Sequence, residues 1–309
     1  MKEKKDQFVI ACLEKATDAD VVMPYARYYA ERLGKGIIVL NVSKDGDNEW
    51  IKQYNLPYIG LKGDWKTAID GLPTAFGGVL AVTAVDMQAP RTSITNPTTL
   101  LKTFADCKIA YLVIRNEKLE IRNSANASTI PHSSFLISNC YLTLDYRRES
   151  KEKLIWGSYM VRFFGSKLTV ATPDYSDAGL REKVNNNILF LKKIYKSLDI
   201  DYTIKPITLP RFTSPDMALI ESTSQQVNES TSNSTLNTQH STLLQVNEST
   251  SNSTLNTQHS TLLIAMTTDK RDRDLGDLIA GPTERRLLQR STIPILFLNQ
   301  RDDLYVLCD

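Results

Sequence analysis

Histidine is scarce in this chain: His132, His240 and His259 are all it has, and the last two are copies of one residue. Without histidine or a spaced group of cysteines and carboxylates there is no pattern for a catalytic metal. The cysteines, Cys12, Cys107, Cys140 and Cys308, form no C-x-x-C pair, which leaves redox or zinc chemistry without a motif. Cys12 and Cys140 lie in apolar runs, where a thiol behaves as a small buried hydrophobe. Long apolar runs are also missing. The first, Phe8 to Leu13, is too short for a signal h-region or a membrane span, so a cytoplasmic location with no membrane partner is expected. Nor is there an excess of charge of one sign: 37 Lys and Arg face 35 Asp and Glu, a net charge of +2. Nucleic-acid binding usually declares itself as a clustered basic face, so no nucleic-acid partner is expected.

What the chain does have is repetition. "QVNESTSNSTLNTQHSTLL" runs from Gln226 to Leu244 and again, unchanged, from Gln245 to Leu263. Its few apolar residues cannot offset roughly 1–2 kcal/mol of backbone entropy per ordered residue. Ser, Thr and Asn also bond their own backbone and weaken helix. The unit reads as a polar insertion at 226–263. Only the second copy continues into "IAM", so that copy is predicted to supply the start of a buried strand and the first to be displaced from it.

A second, older symmetry lies beneath. "FVIACLE" and "CYLTLD" are apolar runs ending in Glu14 and Asp145. "LGKGIIVLNV" and "FGSKLTVATP" each place a helix-ending glycine before a β-branched strand. The same 131 positions separate Glu14 from Asp145 and Gly34 from Gly165. Between these segments, Val22, Tyr25, Tyr29, Ala30 and Leu33, and likewise Leu154, Tyr159, Met160, Val161 and Phe164, recur near helical spacing, with Asp20 and Ser150 as expected N-caps. "GGVLAVT" answers "LLIAMTT", and helices opening at Pro97 and Pro282 lead into a final strand of each half. Alternating strands and helices of these lengths imply right-handed crossovers and a parallel sheet. The expectation is two tandem α/β domains, 1–130 and 131–309, each an open sheet of about five parallel strands, joined around 125–135.

Ligands of such sheets bind at the carboxyl ends of the strands. "FVIACLEKATDADVVMPYARYYAERLGKGIIVLNV", "KGDWKTAIDGLPTAFGGVLAVT" and above all "LIAGPTERRLLQRSTIPILFL" resemble the universal stress protein family in its tandem form. The resemblance covers nearly everything except the linker and the duplicated insert. It implies a Rossmann-like fold of the adenine nucleotide α-hydrolase type, with final strands pairing edge to edge so that the halves form an intramolecular pseudo-dimer; homodimerisation is a further expectation.

Nucleotide-binding members carry G-x2-G-x9-G-S/T after the fourth strand, because glycines let backbone amides close on phosphate beside a helix N-terminus. Here Gly281 occupies the third glycine position. Thr268 and Arg271 stand where the others belong, and Pro282 replaces the hydroxyl residue and deletes a donor. In the first half Thr83, Asp86, Asn96 and Pro97 fill those places. Asp145 matches the family's acidic residue after strand one, either as a nucleotide contact or as a cap on its own turn. Thr172, Thr268, Arg271, Gly281 and Thr283 complete the candidate binding set, with no catalytic residue and no metal ligand assigned.

Two readings follow. The first is a stress-response interaction protein that does not hydrolyse ATP, needs no cofactor and works through an unidentified protein partner. The alternative is an ATP or AMP sensor with one degenerate site in the second half. A nucleotidyl transferase would need a basic or histidine-bearing phosphate motif, and the sequence has none.

Overall fold

Strand β1 (Phe8–Cys12) is a run of apolar residues, and the helix behind it begins earlier than its sequence pattern suggests. In the computed structural model, which describes residues 6–43, 49–116, 137–211, 213–223, 261–267 and 282–300, helix α1 spans Ala16–Leu33. Lys15, not Asp20, is its N-cap, and Asp18 in the first turn reaches back so that one carboxylate oxygen accepts the N–H groups of Glu14 and Lys15 at 3.2 and 3.1 Å; Asp20 lies inside the helix. Gly34 closes α1 at φ 62°. The amides of Gly34 and Lys35 return to Glu31 and Ala30, a left-handed cap that glycine adopts without strain.

Strands β2 (Gly36–Ser43), β3 (Tyr58–Lys62), β4 (Gly78–Val85) and β5 (Ala110–Arg115) follow. They are interleaved with α2 (Trp65–Asp70), α3 (Leu72–Ala75) and α4 (Pro97–Thr103). Their order is β3-β2-β1-β4-β5, every pair parallel. This is the doubly wound arrangement that the alternation of elements predicts.

The second half repeats the plan with β6 (Asn139–Thr143), α5 (Glu152–Phe164), β7 (Lys167–Pro173), α6 (Ala178–Leu198) and β8 (Tyr202–Ile207). A helix over 215–223 comes next, then β9 (Thr261–Met266), α8 (Thr283–Arg290) and β10 (Ile295–Leu298), the 215–223 helix being α7. Strands β6, β7 and β8 are parallel neighbours. Gly165, at φ 68°, ends α5 as Gly34 ends α1. Ser150 is not the cap of α5; it sits in a single 3₁₀ turn, Arg148–Lys151, ahead of the helix. Ser214 caps α7, its hydroxyl accepting the Met217 N–H at 3.3 Å. The first residues of β9, Thr261 to Leu263, come from the second copy of the duplicated insert and are fully enclosed. The rest of the insert up to residue 260 lies outside the described residues, as does the linker from 117 to 136.

By contact the chain divides into two units, Met1–Phe135 with Ile264–Gln289 and Pro294–Asp309, and Leu136–Leu263 with Arg290–Ile293. The closing segment of the second sequence half groups with the first unit. The reason is a ladder within the first unit. β10 pairs antiparallel with β5, Phe297 opposite Tyr111, and the Phe297 and Tyr111 rings stack at 5.3 Å. Asn299 then donates to the carbonyls of Phe104 and Cys107 at 2.6 and 2.7 Å. Pairing of this kind covers the open edge that β5 would otherwise present. Among the described residues no helix is long and apolar enough to cross a membrane.

Candidate site at the carboxyl ends of the strands

Asp145 emerges from β6 with only 1% of its surface exposed. Its carboxylate accepts the Arg147 N–H at 2.9 Å, the Arg147 Nε–H at 2.8 Å and the Ser150 hydroxyl. A second guanidinium nitrogen of Arg147 stands 2.7 Å away. Burial by itself would raise the pKa of this group. The guanidinium of Arg147, the ammonium of Lys153 and the hydrogen bonds outweigh it and hold the carboxyl below its ordinary value. Asn187 of α6 anchors the turn from behind by donating to the carbonyls of Asp145 and Arg147 at 2.7 and 3.1 Å. Both carboxylate oxygens are therefore engaged in closing the turn that follows β6.

One residue pair back along β6 lies a group that the sequence pattern did not single out. Lys153 is wholly buried. Its ammonium donates to Thr143 Oγ1 at 2.7 Å and stands 3.6 Å from Asp216 Oδ1, while the Thr143 hydroxyl donates to the same carboxylate. An isolated buried charge is prohibitive, so Lys153 and Asp216 must be retained together. The signal was available in the internal repeat. The offset of 131 sets Lys153 against Val22 and Thr143 against Cys12, each a polar residue replacing an apolar one on an inward face. Asp216, which comes from α7, has no such marker.

Thr172, at the end of β7, is largely buried and pairs in register with Pro206. Asp145 and Thr172 thus occupy the ends of adjacent strands. Thr283 belongs to the first unit, where it opens α8 and its hydroxyl accepts from Arg286 at 2.9 Å. Pro282 precedes the helix, its carbonyl receiving the Arg285 and Arg286 amides. Thr268, Arg271 and Gly281 lie outside the described residues.

In the first unit the corresponding strand ends are bonded by neutral side-chain donors. Asn41, at the position matching Thr172, donates to the carbonyls of Leu13 and Glu14 at 2.6 and 3.3 Å. The Glu14 carboxylate accepts the Ser93 hydroxyl, and Ser93 lies 2.7 Å from Thr95 Oγ1. The loop from β4 to α4, where a phosphate would need free amides, uses its own. The Asp86 N–H donates to the Thr95 carbonyl at 2.9 Å, and Ala89, Ser93 and Asn96 donate to carbonyls within the loop. Gln88 donates to the Asp86 carboxylate, Thr95 to Ser93 Oγ, and Thr98 and Thr99 to the Asn96 side chain. Pro97 opens α4 without a donor. These described amides of the β4–α4 loop are thus engaged within the loop itself.

The fold is shared with solved proteins. A universal stress protein from Archaeoglobus fulgidus DSM 4304 superposes with a TM-score of 0.56 at 11% identity, covering 96% of this chain and 97% of that one. This chain has the universal stress protein fold. A candidate universal stress protein from Pseudomonas aeruginosa UCBPP-PA14 gives 0.55 at 12% identity over 98% and 96% of the two chains. A protein of unestablished function from Pseudomonas aeruginosa PAO1 gives 0.53 at 13% over 98% and 95%. No protein-family model and no curated protein matches the sequence. The universal stress protein fold places Asp145, Thr172 and Glu14 at strand ends, where ligands of open parallel sheets bind.

Proposed function

We propose that this chain is a regulatory protein of the stress response that acts through contacts with another protein and does not hydrolyse ATP. The observation that carries the reading is the β4–α4 loop of the first unit, whose amides are donated to the loop's own acceptors. A phosphate is held by convergent unengaged donors, and stabilisation of a transferring phosphoryl group needs them above all. The ladder of β5 with β10 supports pairing of the two sequence halves through their final strands. A cytoplasmic setting accords with the buried free thiols Cys12, Cys107 and Cys140. Calorimetric titration of the purified chain with ATP and AMP tests the reading: no binding tighter than about 100 μM and no release of phosphate are expected.

A second reading, an ATP or AMP sensor in the second unit, draws on one feature. Tyr146 and Tyr175 form an edge-to-face pair with centroids 5.5 Å apart beside Asp145, with Tyr146 exposed. A flat base can stack on such a ring. Nucleotide binding that is lost in Asp145→Ala would establish this reading and displace the first.

A further inference from the structure

Helix α5 turns apolar side chains outward. Ile155, Tyr159 and Phe163 are 41%, 39% and 44% exposed, although the sequence pattern placed Tyr159 on the buried face. Their spacing of four sets them in one row along the helix, about 12 Å from first to last. Tyr159 and Phe163 lie with ring centroids 5.8 Å apart, and Trp156 flanks them with its ring 5.6 Å from Tyr159. Nothing in the fold demands such a row, because the chain contains its own control. The offset of 131 matches these positions to Pro24, Tyr28 and Arg32 of α1. There Arg32 lies over the Tyr28 ring at 5.6 Å and supplies a charge where α5 has Phe163. Arg162 of α5 likewise replaces Glu31.

The outer side of α6 begins with Glu182, but within the last two turns of α5 and of α6 every charged residue is basic. Two right-handed crossovers in the same direction, β6 to β7 and β7 to β8, set α5 and α6 on one face of the sheet, and the Tyr195 hydroxyl of α6 bonds the Leu154 carbonyl of α5 at 2.8 Å. The outer side of α6 carries Leu189, 63% exposed, with Lys193 and Lys196 at helical spacing from it. Arg162 lies beside the apolar row itself. A second copy of this chain laid on the same face would set these cations against one another.

We propose that the α5–α6 face is the docking surface for an acidic amphipathic segment of a protein partner. Its apolar residues cover Ile155, Tyr159 and Phe163, and its carboxylates meet Arg162, Lys193 and Lys196. The apolar row supplies the buried contact, and the cations set orientation and the rate of encounter. This rests on the reading of the chain as an interaction protein and names the chemistry of its partner.

The test uses the full chain and a fluorescein-labelled helical peptide of about 18 residues, leucine on one face and glutamate on the other, followed by anisotropy. Saturable binding is expected. It should weaken at least tenfold in Tyr159→Ser/Phe163→Ser and in Lys193→Glu/Lys196→Glu, and fall as salt rises. The same peptide with lysine for glutamate should not bind. The variants change exposed side chains, and circular dichroism checks that each is folded. An absence of binding, equal binding of the lysine peptide, or indifference to both variants overturns the proposal. Self-association in sedimentation velocity that Phe163→Ser abolishes assigns the face to a second copy instead. Cosedimentation with anionic phosphatidylserine vesicles, lost in the same variants, assigns it to lipid. Nucleotide titration of the same preparation separates the two levels: a silent peptide with silent nucleotides removes the docking face alone, whereas ATP or AMP held through Asp145 removes the reading beneath it.

Discussion

The two units solve one problem in different currencies. After β1 and after β6 the chain must turn sharply beneath a buried carboxylate. In the first unit that carboxylate is Asp18, which accepts the Glu14 and Lys15 amides, while the neutral side chains of Asn41 and Ser93 donate to the Leu13 carbonyl and the Glu14 carboxylate. In the second, Asp145–Arg147 and Lys153–Asp216 bring full charges into the interior. A neutral hydrogen bond contributes about 1 kcal/mol and tolerates the loss of a partner. A buried charge does not, because its desolvation penalty remains when its partner is gone. The second unit should therefore be the more fragile to single substitution and no less stable as it stands.

Breaking the comparison is simplest at Asp216. Asp216→Ala leaves Lys153 charged and enclosed, and chemical denaturation should show a loss of about 3–5 kcal/mol. Lys153→Met combined with Asp216→Leu removes both charges and should recover most of it. If the single variant costs no more than a surface substitution, the buried pair does not define the second unit.

Next in size is Asp145→Asn, which should cost about 1.5–3 kcal/mol at pH 7 through weakened bonds to Arg147 and Ser150. Because the folded pKa of Asp145 is depressed, its contribution is present above the unfolded value near 3.9 and is lost as pH falls through the folded one. The gap between wild type and Asp145→Asn should narrow on acidification. Asp18 runs the other way. Burial raises its pKa against the pull of the Lys15 and Glu14 amides and the Lys15 charge, so its contribution is greatest below the unfolded value and declines as pH rises through the folded one. The gap between wild type and Asp18→Asn should widen on acidification. Denaturation midpoints of the three proteins from pH 7 to pH 3 should show opposite slopes; slopes of the same sign would break the comparison.

A smaller effect sharpens it. Asn96→Ala and Ser214→Ala remove one helix cap in each unit, and each should cost about 1 kcal/mol, since cap strength depends on the local turn and not on the charges nearby. Smallest of all is deletion of residues 226–244. The remaining copy still supplies Thr261 to Leu263 to β9, and halving a connection alters its closure entropy by only about 0.6 kcal/mol. A large loss would show that the first copy takes part in the second unit.

Much of the fold was legible in the residues because its signals are local or repeated. The apolar runs became β1, β2, β4, β6 and β7, Gly34 and Gly165 ended their helices, and Pro97 opened its own. Asp20 and Ser150 failed as caps because α1 already begins at Ala16, which puts Asp20 inside the helix, and because a 3₁₀ turn containing Ser150 precedes α5. Of the candidate site, Asp145 and Thr172 were placed at strand ends correctly, while Lys153 was passed over as one more charge in "ESKEKLIW".

The amino-acid sequence by itself determined the alternation of strands and helices, the recurrence of matching segments 131 positions apart, the exact nineteen-residue repeat and the absence of a G-x2-G-x9-G spacing, since each is written in neighbouring or regularly spaced residues. Only the tertiary structure decided that β10 lies antiparallel on β5, that Lys153 meets Asp216 across 63 positions of chain, and that Tyr159 faces outward. Those outcomes depend on which distant segments share an interior, and the energy of a charge or an aromatic ring is set by that surrounding and not by its sequence neighbours.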